Sequence, residues 1–425
     1  MEQFLESATR FGSEVSRTVL EQIEELFFLP TLLSNKQTNA GAGWQSSLAR
    51  LCSANVLTPR YYLWAAWLMG RRSLDALPFI ESNILAPEWI ELRNKLEAFS
   101  LFEHVDMELS LPAADQSLAD LVRQAKSLGP YLSVWATEGI GHYYADSRLS
   151  GGKTPTALLQ SIKDKDISTA ALIPLHAGIG LTLAELVLAE VDEKPCHANN
   201  QIANFIQLLR NTVRPEHLEI MYEALGLAAR NLFPHLLPTV QNSLSSLSDD
   251  LPDYLWHGVG RALYFSPSTL FSRDASGNGF QLCITEPPDD RARHNAVAGF
   301  AWALTLVNIR HPRVIAEFLR RHASRIIDDS AFVNGVCSAL VIWAESSPDS
   351  NDLNRLETFR SDETSLESSL WSRYIRGACR SAALYCQSDD KHLGKLFRFQ
   401  PDPSYASITD HQDFTASPAR AGHTG

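Results

Sequence analysis

The chain has 425 residues, of which 45% are apolar and 20% are charged, and its formal net charge is −12. This composition is typical of a globular protein with a large core. The acidic balance argues against nucleic acid as the main partner, because binding to phosphates needs a basic surface. No run of 18 apolar residues is present, which argues against a membrane span, and no basic segment precedes an apolar one as in a secretory signal. The six cysteines form no CxxC pair, so we expect reduced thiols and a cytoplasmic protein.

Residues 1–100 are expected to form an N-terminal helical cap, because they lack the motif that recurs later and terminal repeats are usually atypical. Beyond them helical periodicity dominates, as at residues 200–211 and 311–322. Residues 280–285 are the best strand candidate, but the run is short and isolated, and we predict a loop there. Residues 399–425 are polar and poor in apolar residues, which predicts a disordered tail.

A small-residue motif recurs seven times in the helical-repeat domain, which we place at residues 101–398. In each copy two small residues stand two apart within an apolar helix, and the copies follow one another at roughly 40 residues. This period fits two helices and their connections. The fold class is therefore all-α, with helical-hairpin repeats that form either an α-solenoid or a closed α/α ring. The first small residues of the seven copies are Gly139, Gly178, Ala224, Gly258, Gly299, Gly335 and Gly377.

The glycines of the motif predict close packing between helices. Glycine within a helix costs about 0.8–1 kcal/mol relative to alanine. A chain tolerates this cost where the missing side chain lets two backbones approach closely. We therefore expect the motif helices to be the crowded inner ones, with their more polar partner helices facing solvent.

Residues four apart that flank each motif lie on one helical face, where polar groups would line a binding surface. Glu138 and His142 form the sharpest such pair. A Glu-x-x-x-His pair can supply two metal ligands, a carboxylate that orients an imidazole, or a simple surface hydrogen bond. We predict catalytic acid–base roles for Glu138, His142 and His257. No Walker loop or zinc-protease motif is present, and we predict neither a metal nor another cofactor.

Five further residues are predicted to bind a substrate. Arg261 has a forked donor group that suits a carboxylate or phosphate, although a salt bridge to the next repeat explains it equally well. An anion site at Arg376 competes with a solvated position or a pairing between repeats. The predicted substrate-binding residues are Glu223, Arg261, Tyr143, Trp302 and Arg376.

The ordered series of motifs resembles an uncharacterised bacterial family encoded in gene clusters for enediyne antibiotics and related specialised metabolites. The resemblance is carried by Glu138-Gly139, by residues 178–183, by residues 223–227 and most specifically by residues 258–265. It covers roughly residues 118–390, and it departs at residues 228–229, where two alanines replace the His-Glu pair of the family. The resemblance implies a biosynthetic context without implying a reaction.

Three functions are consistent with these patterns. One is an accessory or tailoring protein of specialised metabolism that binds a small, largely apolar molecule in its inner groove. Another is a helical-repeat scaffold that binds a partner protein of the pathway along a concave face. The third is an acid–base enzyme, a cyclase or isomerase, that uses Glu138 and His142. The partner is thus a small molecule or a pathway protein, and the sequence predicts no oligomeric state.

Overall fold

The computed structural model describes residues 87–103, 105, 109, 117–150, 167–213, 215–266, 274–326, 330–360, 365–388 and 391–401. These residues form helices and connections and contain no strand, which confirms the all-α prediction. The helices are α1 Pro87–Glu103, α2 Leu118–Lys126, α3 Pro130–Ser150, α4 Thr169–Glu193, α5 Ala198–Thr212, α6 Leu218–Leu232, α7 Leu237–Ser245, α8 Leu251–Tyr264, α9 Ala275–Thr285, α10 Asp290–Val307, α11 Pro312–Ile326, α12 Ser330–Ser346, α13 Asp352–Thr358, α14 Ser365–Trp371 and α15 Gly377–Gln387.

Short helices of other types join some of these elements. The segments Pro195–His197, Pro215–His217 and Pro234–Leu236 are single 3₁₀ turns that precede α5, α6 and α7. A π-helical turn, Ser372–Arg376, joins α14 to α15. A final 3₁₀ helix, Leu393–Phe397, follows α15.

The prediction of a loop at residues 280–285 is wrong, because this stretch is the second half of α9. Phe280 is completely buried there, and its ring lies 5.5 Å from that of Phe300 and 5.7 Å from that of Phe318. Packing against α10 and α11 thus overrides the weak local strand and turn signals.

The motif helices α3, α4, α6, α8, α10, α12 and α15 contact one another in chain order. The glycines lie where these helices touch. A Cβ atom added to Gly178 would overlap the carbonyl oxygen of Glu138, and one added to Gly226 would overlap that of Leu255. The backbones therefore meet directly, which is the close approach that the sequence predicts for the motif.

The most apolar helix is α4, and it lies in the core. Among the described residues it is the one helix long and apolar enough to cross a membrane, and 89% of its most apolar 18-residue window is buried. Burial of this extent is typical of the core helix of a globular protein.

Helix α1 packs against α3 and against the later helices α10 and α11. Asn94 donates a hydrogen bond of 3.0 Å to Oδ1 of Asn308, and Glu97 forms an ion pair with Arg310. Lys95 is buried and donates to Oγ of Ser276 at 3.0 Å. Burial lowers the pKa of Lys95.

The predicted boundary at residue 100 lies inside α1, and residues 1–86 of the predicted cap lie outside the described residues.

The last described segment, residues 391–401, packs on α6, α8 and α12. Leu396 and Phe397 are buried, and the backbone N–H of Phe399 donates to Oδ1 of Asn295 at 2.6 Å. The first residues of the predicted tail are therefore packed, whereas residues 402–425 lie outside the described residues. The described cysteines are free thiols, as predicted, and Cys52 falls in the part that is not described.

Candidate functional site

Five polar or aromatic side chains from four motif helices meet in the interior. We call this group the buried cluster, and none of its members has more than 5% of its surface exposed. Burying charged groups is strongly unfavourable unless they are paired and hydrogen-bonded. The cluster consists of Glu138 on α3, Glu223 on α6, His257 and Arg261 on α8, and Trp302 on α10.

Glu223 is the centre of the hydrogen bonding. Its Oε1 accepts a hydrogen bond of 2.6 Å from Nδ1 of His257, and its Oε2 accepts one of 2.7 Å from Nη1 of Arg261. Arg261 also donates from Nη2 to Oε1 of Glu138 at 3.2 Å. The guanidinium carbon of Arg261 lies 4.4 Å from the ring centroid of Trp302. One arginine thus joins two carboxylates and one aromatic face.

The motif glycines explain why these side chains meet. His257 and Arg261 are four residues apart and share one face of α8. Gly258, between them, lies against the carbonyl oxygen of Glu223 on α6. On the other side of α8, Gly299 of α10 lies against the carbonyl oxygen of His257. Because the backbones touch at these points, side chains beside the glycines reach their neighbours over short distances.

The two carboxyl groups of the cluster have opposite pKa shifts. Burial alone would raise the pKa of Glu223, but Arg261 and His257 outweigh it and lower the pKa below its ordinary value. At Glu138 burial has the larger effect, and it raises the pKa despite the nearby Arg261. Burial would lower the pKa of Arg261, yet Glu223 and Glu138 together raise it. Glu223 is therefore held as an anion, and Glu138 is the easier of the two to protonate.

Three nitrogen atoms of the cluster have no hydrogen-bond partner among the described residues: Nε2 of His257, Nε of Arg261 and Nε1 of Trp302. Single buried nitrogens without a partner also occur elsewhere, as at Trp89 and Trp135. The cluster differs because three such atoms belong to side chains in mutual contact. Buried polar atoms are normally paired, so this coincidence points to a binding position.

Phe397 covers this position from the C-terminal segment. Its ring centroid lies 6.3 Å from that of His257 and 6.0 Å from that of Trp302, and its side chain is buried. Phe397 was not predicted as a site residue. The available signal was the return of apolar residues at 393–399 after the polar residues 387–392.

Three of the predicted site residues lie outside the buried cluster. Nε2 of His142 lies 3.5 Å from Oε1 of Glu185. Arg376 donates hydrogen bonds to the backbone oxygens of Glu357 and Phe359, at 3.1 and 2.9 Å, where α13 ends. Tyr143 is half-buried against the hydrophobic core. The predicted roles of His142, Tyr143 and Arg376 thus stay predictions, and the structure brings together only Glu138, Glu223, His257, Arg261 and Trp302.

Comparisons with known proteins do not assign a role to the site. No model of a protein family, no curated protein and no solved structure matches the chain. Within the described ranges, no group of three His, Cys, Asp or Glu side chains is placed to hold a metal ion. The buried cluster and the segment that covers it are therefore the features of this chain that bear on its function.

Proposed function

We propose that this protein is an accessory or tailoring protein of bacterial specialised-metabolite biosynthesis that binds a small, largely apolar molecule between its motif helices. The observation that carries the binding role is the set of three unpaired nitrogens in the buried cluster. The aromatic ring of Trp302 lies beside them, and the ring of Phe397 now fills the apolar space next to it. Apolar and aromatic surroundings of this kind are typical of small-molecule sites. The biosynthetic context rests on the resemblance of the motifs.

The architecture proposed with this function is a closed arrangement of helical hairpins. In an open solenoid each repeat contacts only its neighbours. Here α12 also contacts α4, and α1 contacts α10 and α11. Arg261 reaches Glu138, which lies 123 residues away along the chain. These contacts across the array favour a ring with an enclosed interior over a solenoid with an open groove.

The binding role is tested with an uncharged apolar fluorophore, Nile red, titrated into the full-length chain. We expect saturable binding that weakens about tenfold in the Trp302→Phe variant, which loses the N–H and keeps an aromatic ring. Trp89→Phe is the matched control, because Trp89 is also buried with an unpaired Nε1 but lies on α1. Equal affinities in the two variants would place the binding outside the cluster.

The second candidate is an acid–base isomerase, which the contact between Glu223 and His257 favours over the predicted pair Glu138 and His142. Glu223 binds Nδ1 of His257 and leaves Nε2 for proton transfer. Nε2 takes a proton from the carbon that lies between a carbonyl group and a C=C bond, and the C–H electron pair forms a new C=C bond to the carbonyl carbon. The carbonyl π electrons move to the oxygen, which Arg261 and Trp302 stabilise. When the oxygen re-forms the C=O bond, the new C=C electrons shift by one position and the original C=C electrons take the proton from Nε2 at the far carbon, which brings the double bond into conjugation.

Deuterium exchange separates the enzyme from the binding protein. In D₂O the full-length chain should speed the exchange of the α-hydrogens of a bound ketone, 2-acetylnaphthalene, followed by NMR. The His257→Gln variant should lose this acceleration while it still binds the ketone. If the chain binds the ketone without accelerating exchange, the isomerase candidate is excluded and the binding role stands. No contact of the buried cluster favours the third hypothesis, a scaffold for a partner protein, since the cluster is enclosed.

A further inference from the structure

The charges of the buried cluster limit the ligand that it accepts. Glu223 is an anion and Arg261 is a cation. The two side chains form an ion pair, so their charges cancel. The remaining hydrogen bond of Arg261 goes to a second acidic group, Glu138. No unneutralised positive charge is left to offset an anionic ligand, and burying such a ligand beside two carboxyl groups is unfavourable.

The unpaired nitrogens define the polar group that fits. Nε of Arg261 and Nε1 of Trp302 are obligatory donors. Because Nδ1 of His257 donates to Glu223, a neutral imidazole presents a lone pair at Nε2. A carbonyl oxygen can accept from either donor, and a hydroxyl group can also donate to Nε2. An ammonium group fits neither donor.

We infer that the site binds an apolar molecule that bears one uncharged oxygen, in a hydroxyl or a carbonyl group. The apolar body of this molecule occupies the space that the Phe397 side chain now fills. This inference rests on the proposed binding function. It names the class of ligand and the part of the chain with which the ligand competes.

The packing of the C-terminal segment supports the second part of the inference. Phe397 contacts the two rings of the cluster that carry unpaired nitrogens. The segment is held from its flank, where Arg398 pairs with Asp250 at 3.0 Å and Phe399 binds Asn295 through its backbone. Phe397 itself contributes only apolar contacts at this point, which a ligand of similar shape reproduces.

A matched series of naphthalenes tests the class of ligand. The series is 2-acetylnaphthalene, 1-(2-naphthyl)ethanol, 2-ethylnaphthalene and 2-naphthoate, titrated by calorimetry into the full-length chain and into its Phe397→Ala variant. We expect the ketone and the alcohol to bind about tenfold more tightly than the hydrocarbon. The carboxylate should bind more weakly than either. All affinities should rise in Phe397→Ala and stay unchanged in Phe399→Ala, whose ring lies against His294.

The outcomes separate this inference from the proposed function. Trp302→Phe should remove most of the advantage of the ketone over the hydrocarbon, whereas Trp89→Phe should preserve it. If 2-naphthoate binds best, or if Phe397→Ala leaves every affinity unchanged, the inference is overturned and the binding function stands. If no member of the series binds to either protein and Nile red also fails to bind, both are overturned.

Discussion

Nδ1 of His257 lies 2.6 Å from Oε1 of Glu223, and the two residues belong to adjacent motif helices. The sequence suggested a different pair, Glu138 and His142, because they share one face of a single helix. In the structure Glu138 binds Arg261, and His142 lies beside Glu185. The carboxylate–imidazole contact of the buried cluster is thus formed between helices and not within one.

Glu223→Gln should strongly destabilise the fold. The variant removes the charge that neutralises Arg261 and weakens the hydrogen bond to His257, and breaking a buried pair costs about 3–5 kcal/mol. Urea denaturation followed by circular dichroism measures the free energy of unfolding. Glu185→Gln is the control, since its contact with His142 is long and partly exposed, and the variant should cost less than about 1 kcal/mol. Similar losses in both variants would contradict the central role of Glu223.

The pH dependence of two Glu→Gln variants should have opposite signs. Glu223 has a lowered pKa, so it stabilises the folded state above its ordinary pKa of 4.5, and this contribution is lost as the pH falls through the folded value. The cost of Glu223→Gln should therefore grow as the pH rises toward and past 4.5. Glu138 has a raised pKa, so its contribution is present below 4.5 and is lost as the pH rises through the folded value.

The cost of Glu138→Gln should accordingly shrink as the pH rises from about 4 toward 7. Denaturation curves for both variants and the parent chain, measured from about pH 3 to about pH 7, give the two slopes, because the contribution of Glu223 changes mainly below its ordinary pKa. If the costs of both variants changed with pH in the same direction, burial would not be the dominant influence on the pKa of Glu138. The Glu185→Gln variant supplies the baseline for general effects of pH.

Gly178→Ala should destabilise the protein although alanine is the better helix former by about 1 kcal/mol. The added Cβ overlaps the backbone oxygen of Glu138, which cannot move without shifting α3. We expect a loss of about 3 kcal/mol or more in the free energy of unfolding. Gly180→Ala, in the same motif, brings its Cβ to 3.1 Å from Cα of Met221 and should change stability by about 1 kcal/mol. A stabilised Gly178→Ala protein would contradict the packing described for the motif.

Phe397→Ala should loosen the C-terminal segment from the buried cluster. Removing a buried phenylalanine side chain costs about 3–5 kcal/mol. Amide hydrogen exchange should accelerate across residues 391–401. Exchange in α5 should not change, because α5 is not one of the helices on which the segment packs. Phe399→Ala, whose side chain is half-buried, should cost about 1 kcal/mol. Unchanged exchange in the segment would show that Phe397 does not hold it in place.

The sequence predicted the helical class and the packing positions because both depend on local patterns. Apolar residues at helical spacing predicted α5 and α11, and the glycines marked the points where Gly178 and Gly258 contact neighbouring backbones. The residues beside the glycines also proved informative, since Glu223, His257 and Arg261 meet in one cluster.

The sequence offered a salt bridge between neighbouring repeats as one interpretation of Arg261, and its contact with Glu223 is such a bridge. The contact of Arg261 with Glu138, which lies 123 residues away along the chain, could not be predicted from spacing. Phe397 was missed for the same reason, because its partners lie on α8 and α10. The loop predicted at residues 280–285 is a helix because Phe280 contacts rings that are distant in the sequence.

The ion pair between Glu97 and Arg310 spans 213 residues. A ribosome adds about 5–20 residues per second, so Arg310 emerges roughly 10–40 s after Glu97. Helix α1 can pack on α3 soon after both have been made, but the part of its surface that contacts α10 and α11 stays uncovered during that interval. Since contacts between distant parts of a chain also slow folding, the contact of α1 with α10 and α11 forms later than its contact with α3.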